Sequence, residues 1–463
     1  MTTDKTGAFE ALKTAIRGEV VLATDAGYEQ ARSIWNAMID RKPAAIVRCA
    51  GVADVMHSIA FARDHGLPLA VRGGGHNIAG NALCNDGLVI DLSHWRGVRV
   101  DPNTRRARVD PGATLGDFDH ETQAFGLATP LGINSTTGVA GLTLGGGFGW
   151  LTRQFGMTVD NLVSAELVTA ESKRLLASET ENPDLFWALR GGGGNFGVVT
   201  QFEFQLHPVG PQILAGLFVF PFAQARGVLA RYRDFVAEMP DNMNVWIVLR
   251  KAPPLPFLLE EVHGKEVVVM PVFHVGDIED GKRRIEPLRR FAKPYGEHVG
   301  VIPYAAWQQA FDPLLTPGAR NYWKSHNFTK LADGAIDTTL DYAAKLPSPQ
   351  CEVFIGLLGG QASVPAADAT AYSQRDAKFV MNVHARWETA KDDQACIGWA
   401  RDLFRATARH ATGGVYVNFL TQDESDRIAA AYGSNLGRLA QVKRKYDPDN
   451  VFRTNQNIAP AVT

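Results

Sequence analysis

The sequence contains little cysteine and no long apolar segment. Four cysteines occur among 463 residues, and they form neither a C-x-x-C pair nor the spacing of a zinc site. A disulfide framework is therefore not expected. The first residues, Thr2 to Thr6, lack the basic and apolar pattern of an export signal, and no apolar segment reaches the ~18 residues of a membrane span. These absences predict a soluble protein of a reducing compartment, with a cytoplasmic localisation.

The sequence also has no excess of charge of either sign. Its 47 basic and 49 acidic side chains give a formal net charge of −2 at pH 7. Nucleic acid and membranes are therefore not expected as partners, because anionic surfaces bind mainly to clustered positive charge. The sharpest basic cluster, between Lys282 and Arg290, is spaced like the exposed face of a helix. The composition favours a small molecule of neutral or mixed charge as the partner.

Glycine, in contrast, is abundant and clustered. The first cluster follows a predicted strand, in the heptapeptide Val71-Arg72-Gly73-Gly74-Gly75-His76-Asn77. Successive glycines let backbone N–H groups line a concavity for phosphate oxygens. A histidine at the rim of such a loop can act as a base, a hydrogen-bond donor or a nucleophile. The alternative is a tight turn with an exposed histidine.

The second glycine cluster extends from Leu131 to Gly149. A segment with so many glycines is not expected to form a stable helix, and it is too apolar to be a linker. We interpret it as backbone that surrounds a large, flat ligand. The alternative is that its glycines permit close packing of strands.

The third cluster contains the pattern G-x-G-x-x-G at Gly192, Gly194 and Gly197. It follows a predicted helix over Asn182 to Arg190 and precedes a predicted strand over Val198 to Leu206. The dinucleotide fingerprint has the reverse order, so an NAD site of the Rossmann type is not supported. The sequence also lacks G-x-x-x-x-G-K-[ST], which excludes a P-loop nucleotidase.

The character of the sequence changes near residue 210. Before it, strand, helix, strand and glycine loop follow one another, preceded by a predicted helix over Tyr28 to Ile39. After it, apolar strand-like runs alternate with helical segments, as in an α+β domain with a mostly antiparallel sheet. Because 463 residues exceed the usual size of one hydrophobic core, we predict two domains, at 1–210 and 211–411.

Four separated blocks resemble the berberine-bridge-like and 6-hydroxy-D-nicotine-oxidase-like FAD-linked oxidoreductases of the vanillyl-alcohol-oxidase and p-cresol-methylhydroxylase superfamily. The blocks are residues 72–77, 131–149, 181–200 and 446–458, and the last is similar to the family signature Y-D-P-x-N-x-F-R-x-N-Q-N. The resemblance implies an α+β flavoprotein with a p-cresol-methylhydroxylase-type FAD-binding domain at 1–210 and an antiparallel-sheet substrate-binding domain at 211–411. It also implies that residues 412–463 return to the FAD domain.

The resemblance implies that FAD is bound covalently through His76, which stands at the family's 8α-histidyl position. Berberine-bridge enzymes add a cysteine bond to flavin C6, but Asn134 occupies that position here and cannot form a thioether. None of the four cysteines lies at a matching place, so attachment through His76 only is expected, with no metal. The residues expected to bind the cofactor are Arg72, Gly73, Gly74, Gly75, His76, Asn77, Gly80, Leu131, Thr136, Thr137, Gly138, Gly141, Gly145, Gly147, Gly197, Val198, Val199, Tyr416, Asn418, Asn455 and Asn457.

Tyr416 is the candidate base that accepts the substrate proton. Tyr416 and Asn418 are predicted to share one face of a short strand, and the resemblance places that face in the active site. An unperturbed tyrosine has a pKa near ~10, so this role needs a lowered pKa or a proton transfer concerted with hydride loss. The alternative is that Tyr416 packs against the flavin and donates a hydrogen bond.

Two further residues are candidates for the catalytic site. By resemblance, Asn382 faces the substrate, but an amide cannot act as a base. Thr137, also by resemblance, lies beside the flavin, where side-chain size controls the entry of oxygen. His384 and Arg386 share a strand face with Asn382, and a structural role for them is as well supported as a catalytic one. Tyr322 is a weaker candidate for the pocket.

The resemblance implies an FAD-dependent oxidase that transfers a hydride from a C–O or C–N bond of a small, secondary-metabolite-like substrate to flavin N5. Molecular oxygen would then be reduced to hydrogen peroxide. One alternative is a flavin-dependent oxygenase that modifies a natural product. Another is a non-catalytic FAD-binding protein. The identity of the substrate and the oligomeric state are not encoded in any of these patterns.

Overall fold

The computed structural model describes residues 3–462. In chain order, its strands are β1 (Glu19–Leu22), β2 (Ala45–Arg48), β3 (Leu69–Arg72), β4 (Leu88–Asp91), β5 (Val98–Asp101), β6 (Arg106–Val109), β7 (Leu127–Ala128), β8 (Leu162–Val168), β9 (Arg174–Ser178), β10 (Val198–Gln205), β11 (His207–Pro208), β12 (Gln212–Pro221), β13 (Met243–Val245), β14 (Ile247–Lys251), β15 (Glu266–His274), β16 (Gly296–Pro303), β17 (Arg320–Phe328), β18 (Glu352–Leu357) and β19 (Phe379–Trp387).

The α-helices lie between these strands and at both ends of the chain. In chain order they are α1 (Thr3–Ala15), α2 (Tyr28–Ala31), α3 (Val52–Asp64), α4 (Leu115–Gln123), α5 (Val139–Leu144), α6 (Thr152–Phe155), α7 (Pro183–Leu189), α8 (Ala225–Ala237), α9 (Ile278–Ile285), α10 (Tyr304–Gln308), α11 (Asp333–Ala343), α12 (Asp393–Thr407), α13 (Ile428–Tyr432) and α14 (Leu436–Tyr446).

The first sheet presents the glycine loop at the carboxyl end of a strand. Its four strands lie in the order β1-β2-β4-β3, and β2 and β3 both run parallel to β4. Helix α3 connects β2 to β3 and buries Val55 and Ile59 in the same core as the sheet. Because β3 ends at Arg72, Gly73 follows it directly. The predicted order of strand, helix, strand and loop is confirmed, and such strand ends are common ligand sites.

The second sheet carries the third glycine cluster. Its five antiparallel strands lie in the order β5-β6-β10-β8-β9. Helix α7 precedes the cluster and β10 follows it, as the sequence predicts. This order keeps a parallel βαβ unit from forming there, which is why the glycine pattern does not build a Rossmann site.

The second glycine cluster corrects one expectation, because it contains the short helix α5. Val139 opens this helix and donates its backbone N–H to the carbonyl of Ala113 at 2.9 Å. Val139 and Leu144 are buried in the core of the N-terminal part. Tertiary packing therefore outweighs the low helix propensity of the neighbouring glycines.

The third sheet lies in the middle of the chain and is antiparallel throughout. Its strands follow the order β16-β12-β15-β14-β18-β19-β17, and β13 also pairs with β15. Helices α8, α11 and α12 cover one face of this sheet. The side chains of β19 alternate accordingly, since Met381 contacts Thr339 of α11 whereas Asn382 and His384 line a cavity on the other face. The α+β architecture predicted for the chain is confirmed.

The C-terminal segment packs against the N-terminal part of the chain. Leu439 and Ile458 are fully buried in the same core as β10. The buried Lys443 donates to the carboxylate of Asp447 at 2.6 Å and to the backbone carbonyl of Asn195 at 2.7 Å. Asp447 in turn accepts from two backbone N–H groups of the following turn. These contacts explain the polar tail physically, while the domain limits at 210 and 411 stay predictions.

The helix predicted over Tyr28 to Ile39 is mostly wrong, because α2 ends at Ala31. The following backbone is held by distant partners instead of by helical bonds. Trp35 donates its N–H to Gly75 at 3.2 Å, and Ala37 donates to Ala319 at 3.1 Å. Sequence periodicity cannot detect such tertiary hydrogen bonds.

The basic cluster and the cysteines have ordinary structural positions. The basic cluster lies on α9 and the turn after it, where Lys282 and Arg284 pair with acidic residues of the same segment. The four cysteines are buried and free. Within residues 3–462, no group of His, Cys, Asp and Glu side chains could hold a metal. No helix in the described part of the chain is long and apolar enough to cross a membrane.

Candidate functional site

One continuous cavity of about 440 Å³ lies between the glycine clusters and the uncovered face of the large sheet. Its volume is typical of small-molecule sites. On one side it is lined by Gly73 to Asn77, Gly138, Gly141 and Gly193 to Asn195. Side chains of β14, β18 and β19 form the opposite wall. The glycine clusters, which suggest a cofactor, therefore line the same cavity as a separate wall that can hold a substrate.

The first glycine loop presents a row of free donors to this cavity. The backbone N–H groups of Gly73 to Asn77 make no hydrogen bond with other residues between 3 and 462. Gly75 supports the curvature of the loop with a φ of +70°. A curved row of unpaired N–H groups is a binding site for anionic oxygens such as those of a pyrophosphate.

The first two glycine clusters pack backbone to backbone. A Cβ atom on Gly74 would lie 2.4 Å from the nitrogen of Gly138, and one on Gly138 would lie 2.5 Å from the nitrogen of Gly74. No side chain fits between them. This contact holds His76 and the segment from Asn134 to Gly138 in a fixed relation.

Other glycines leave the cavity open. Gly141 and Gly194 line it, and a Cβ atom on either would meet nothing within 4 Å. The side-chain oxygen of Asn455, which lines the cavity, is buried and has no partner in the described part of the chain. Open space beside glycine backbone, free N–H donors and this unsatisfied amide oxygen together fit a large, flat cofactor with phosphate groups. FAD has these properties.

His76 is held on two sides at the rim of the cavity. Its Nε2 lies 2.9 Å from Oγ1 of Thr136, and its ring stacks on Trp35 with the ring centres 5.1 Å apart and an angle of 22°. Burial lowers the pKa of His76 to about 4. The imidazole is therefore neutral at neutral pH, as a nucleophile must be.

Tyr416 and Asn418 meet in the cavity, although the strand predicted for them is wrong. Residues Val417–Phe419 form a 3₁₀ turn, and Tyr416 precedes it. The turn brings Nδ2 of Asn418 within 3.0 Å of the Tyr416 hydroxyl oxygen, which also accepts the N–H of Gly147 at 3.0 Å. Burial nevertheless raises the pKa of Tyr416 to about 12. The lowered pKa that would make Tyr416 a ready base is not present.

The sheet wall carries a row of polar side chains that the sequence analysis leaves mostly unassigned. Strand pairing sets Arg250 opposite Glu352, and Glu352 opposite His384. Arg250 pairs with Glu352 at 2.9 Å, and Nδ1 of His384 lies 3.3 Å from the same carboxylate. Burial opposes ionisation of Glu352, but the charge of Arg250 and the contact with His384 hold its pKa below the usual value. The wall therefore contains an ionised carboxylate.

The other residues singled out on this sheet have different positions. Asn382 lines the cavity, and its Oδ1 is buried without a partner among the described residues. Burial lowers the pKa of His384. Arg386 lies over the ring of Trp35 at 5.4 Å and donates to the carbonyl of Thr316. Tyr322 is directed away from the cavity and bonds to Asp423 at 2.6 Å.

The lining around the polar part of the sheet wall is apolar and aromatic. Trp150 stacks on Trp246 with the ring centres 4.2 Å apart. Phe148, Trp323 and Phe354 extend this surface around the cavity. An aromatic wall of this kind favours a planar, largely apolar ligand and leaves orientation to a few polar groups.

The structure places most of the predicted site residues at the cavity, but not all. Those that line it are Gly73, Gly74, Gly75, His76, Asn77, Thr137, Gly138, Gly141, Gly197, Val198, Val199, Asn382, Tyr416, Asn418 and Asn455. Those that do not are Arg72, Gly80, Leu131, Thr136, Gly145, Gly147 and Asn457. The Arg72 side chain is occupied by a buried ion pair with Asp91. Thr136 and Gly147 instead act through His76 and Tyr416.

Several cavity residues could not be found by sequence reasoning. Trp35 lies in a segment with a false helical pattern, so its contact with His76 gave no signal. Glu352 lies on a predicted strand and Arg250 directly follows another, but only the pairing register brings them together. A charged residue at the end of an apolar strand was the available hint, because such residues are seldom fully buried unless they are paired.

Comparison with known proteins supports the same cofactor. A family model described as an FAD binding domain matches residues 43–177, and one described as berberine and berberine like matches residues 415–459. (R)-6-hydroxynicotine oxidase of Paenarthrobacter nicotinovorans is 32% identical over 462 residues, which cover 96% of this chain and 97% of that protein.

Solved structures show the same fold. The crystal structure of 6-hydroxy-D-nicotine oxidase from Arthrobacter nicotinovorans matches with a TM-score of 0.86 and 30% identity, over 96% of this chain and 98% of that one. Glucooligosaccharide oxidase from Acremonium strictum, described as holding a 6-S-cysteinyl, 8α-N1-histidyl FAD, matches with a TM-score of 0.87 over 98% and 100% of the two chains. Its identity of 23% supports the fold alone.

The glycine clusters that line the cavity, here called the glycine cradle, agree with the two matching family models and with the similarity to (R)-6-hydroxynicotine oxidase over almost the whole chain. The chain belongs to the berberine-bridge-like family of FAD-linked oxidoreductases.

Proposed function

We propose that this FAD-linked oxidoreductase is an oxidase, which removes a hydride from a C–O or C–N bond of a small molecule and reduces molecular oxygen to hydrogen peroxide. The observation that carries the proposal is the continuity of the cavity, which places the glycine cradle and the aromatic sheet wall on opposite sides of one space. Bound FAD would supply the hydride acceptor, N5. The oxidase name of a relative that covers almost the whole chain supports the same reaction class.

The residues on the sheet wall support a proposal for the substrate class. Trp246 and Phe354 provide flat apolar contacts, while Asn382 and the pair of Arg250 and Glu352 provide polar ones. We propose a planar or heterocyclic small molecule with one polar edge, in keeping with a secondary-metabolite-like substrate. The name of the relative, (R)-6-hydroxynicotine oxidase, also indicates a small-molecule substrate for that protein.

We also propose that FAD is attached covalently, through His76 alone. The neutral imidazole lines the cavity, and no cysteine does. Asn134 lines it where a second anchor would be expected by resemblance. In Acremonium glucooligosaccharide oxidase both anchors are named, so this chain would retain one of the two.

An anaerobic substrate screen tests the oxidase. Candidate heteroaromatic amines and alcohols are added under argon, and loss of the flavin absorption band identifies a substrate. Admission of air should then restore the band and release one hydrogen peroxide per substrate oxidised. Incorporation of an atom of labelled oxygen into the product, with little peroxide, would favour the oxygenase instead. Failure of every substrate class to bleach the flavin would leave only the non-catalytic alternative.

A further inference from the structure

Arg250 and Glu352 carry the charges of the cavity wall. Within the described part of the chain, no other lysine, arginine, aspartate or glutamate lines the cavity. Both side chains are mostly buried, with 11% and 13% of their surfaces exposed. They stand beside the aromatic residues that suit a planar substrate, so their unused hydrogen-bonding atoms limit which polar group that substrate can carry.

The carboxylate of Glu352 is fully occupied, whereas the guanidinium of Arg250 is not. Oε2 of Glu352 accepts from Nη1 of Arg250 at 2.9 Å, and Oε1 lies 3.3 Å from Nδ1 of His384. Nε of Arg250 donates to the carbonyl of Lys251 at 3.3 Å. Nη2 has no hydrogen-bond partner between residues 3 and 462, and it is not sealed off from the cavity. The unused atoms of the pair are therefore donors of a cation.

The hydrogen bonds of His384 show the net charge of this part of the wall. Its Nε2 lies 3.1 Å from the side-chain oxygen of Asn321, which is an oxygen because the amide nitrogen donates to the carbonyl of Ala319 at 2.8 Å. Both ring nitrogens face acceptor oxygens, so one proton lies on Nε2 and a second lies between Nδ1 and Glu352. Burial lowers the pKa of His384, and the contact with Glu352 opposes that shift. Whichever of the two holds the second proton, they and Arg250 together carry one net positive charge.

A further cation lies behind this row. Arg386 is 2% exposed, and its Nε is buried without a partner among the described residues. Its other nitrogens contact the side-chain oxygen of Asn321 at 3.4 Å and the carbonyl and hydroxyl of Thr316. None of these partners is charged. Because buried positive charge is costly without a counter-charge, this side of the cavity favours an anion.

We infer that the substrate carries an anionic group such as a carboxylate, and that Arg250 is the specificity-determining residue that binds this group through Nη2. The inference rests on the proposed oxidation of a planar small molecule and names the polar edge of that molecule. Glu352 is a positioning residue, since it holds Nη1 of Arg250 and leaves Nη2 for the ligand. Arginine suits this role because its planar group of N–H donors matches the geometry of a carboxylate.

An aromatic surface connects the ion pair with Tyr416. Phe354 follows the ion pair on the same face of β18 and contacts Trp246, with the ring centres 5.0 Å apart. Trp246 contacts Phe148 at 6.2 Å, and Phe148 contacts Tyr416 at 5.1 Å. A ligand that lies along this surface has its anionic group at Arg250 and its other end near Tyr416. The substrate class is therefore an aromatic or heteroaromatic acid whose oxidised C–O or C–N bond lies away from the acid group.

Three ligands with one ring and different charges test the inference without turnover. Benzoate is anionic, benzamide is neutral and benzylamine is cationic at neutral pH. Each is titrated into the wild-type holoenzyme under argon, and the change in the flavin absorption spectrum gives its dissociation constant. Benzoate should bind at least about tenfold more tightly than benzamide, because a hydrogen bond between two charged groups is stronger than one to a neutral group. Benzylamine should bind most weakly.

Two substitutions assign the preference to one side chain. Arg250→Met should bind benzoate and benzamide alike. Glu352→Gln is the matched control and should keep the preference for benzoate, because the positive charge of Arg250 remains. Arg250→Met leaves a buried carboxylate without its partner, so the double variant Arg250→Met/Glu352→Gln is measured beside it and should also show no preference.

Equal binding of benzoate and benzamide by wild type, or a preference that persists in the double variant, would overturn the inference. Tighter binding of benzylamine that is lost in Glu352→Gln would also overturn it, because the wall would then bind a cation. None of these results concerns the oxidation itself. A protein that prefers benzoate, but whose flavin no substrate bleaches, would retain the anion site and lose the proposed function.

Discussion

Replacement of Tyr416 by phenylalanine tests how the substrate proton is removed. The hydroxyl oxygen of Tyr416 accepts N–H groups from Gly147 and Asn418, each at 3.0 Å, and both would stabilise a phenolate. Burial acts in the opposite sense and is stronger, since it raises the pKa to about 12. At pH 8 a group with this pKa is ionised in only about 1 molecule in 10⁴.

Two consequences follow if the phenolate accepts the proton. The rate of flavin reduction should rise about tenfold for each pH unit between pH 7 and 10, because the ionised fraction rises by that factor below the pKa. Tyr416→Phe should lower the rate by ~10²–10⁴ and abolish this pH dependence, with FAD content unchanged. Stopped-flow measurement of anaerobic reduction with a turned-over substrate gives both results.

Tyr372→Phe is the matched control, because Tyr372 is also buried and its ring centre lies 6.5 Å from that of Tyr416, but it does not line the cavity. It should reduce at close to the wild-type rate. A Tyr416→Phe rate within about threefold of wild type, far below the worth of a positioned base, would refute the reasoning. A slow variant with a flat wild-type pH profile would leave Tyr416 as a hydrogen-bond donor that orients the substrate.

Three further predictions concern oxygen, stability and the glycine loop. Thr137→Leu should slow reoxidation of the reduced enzyme in aerated buffer and spare anaerobic reduction; unchanged reoxidation would place the oxygen path elsewhere. Burial raises the pKa of Asp119 to about 7, whereas its pKa in the unfolded chain is near ~4. The stability that Asp119 contributes is therefore lost as the pH rises from ~4 to about 7. Asp119→Asn should raise the free energy of unfolding by up to ~4 kcal/mol at pH 8 but little at pH 4. An equal rise in the midpoint of thermal unfolding at pH 4 and pH 8 would contradict this prediction. Gly74→Ala should lower the free energy of unfolding by about 1–3 kcal/mol and reduce FAD content, because its Cβ atom would lie 2.4 Å from backbone. Gly27→Ala is the control and should change stability little, because its Cβ atom would meet nothing within 4 Å. Equal effects of the two substitutions would refute the close contact.

Local patterns in the sequence predicted the glycine loop, the antiparallel sheet of the middle part and the residues of β19 that share a face, whereas the assignment of that face to the substrate came from the family resemblance. Glycine clusters and strand alternation are properties of neighbouring residues, so they can be read without knowing the fold. The contact of Trp35 with His76 and the row formed by Arg250, Glu352 and His384 depend on tertiary packing and strand register. No local pattern encodes either of them.

Tyr416 and Asn418 lie together, but not in the way that the sequence suggested. Their spacing of two suggested one face of a strand, whereas a 3₁₀ turn brings the two side chains together. The pKa of Tyr416 could not be predicted at all, because it depends on burial by residues far away in the chain. The same is true of His76, whose neutral state follows from its surroundings.

The mass of the denatured protein tests most directly that His76 is the single anchor of FAD in this cavity. Wild-type protein precipitated with acid should stay yellow, and its intact mass should exceed that of the apoprotein by one FAD. His76→Ala should bind FAD and release all of it on denaturation, because no cysteine lines the cavity to replace the histidine. Flavin that stays with the denatured His76→Ala protein, or wild type that loses its flavin completely, would contradict the account.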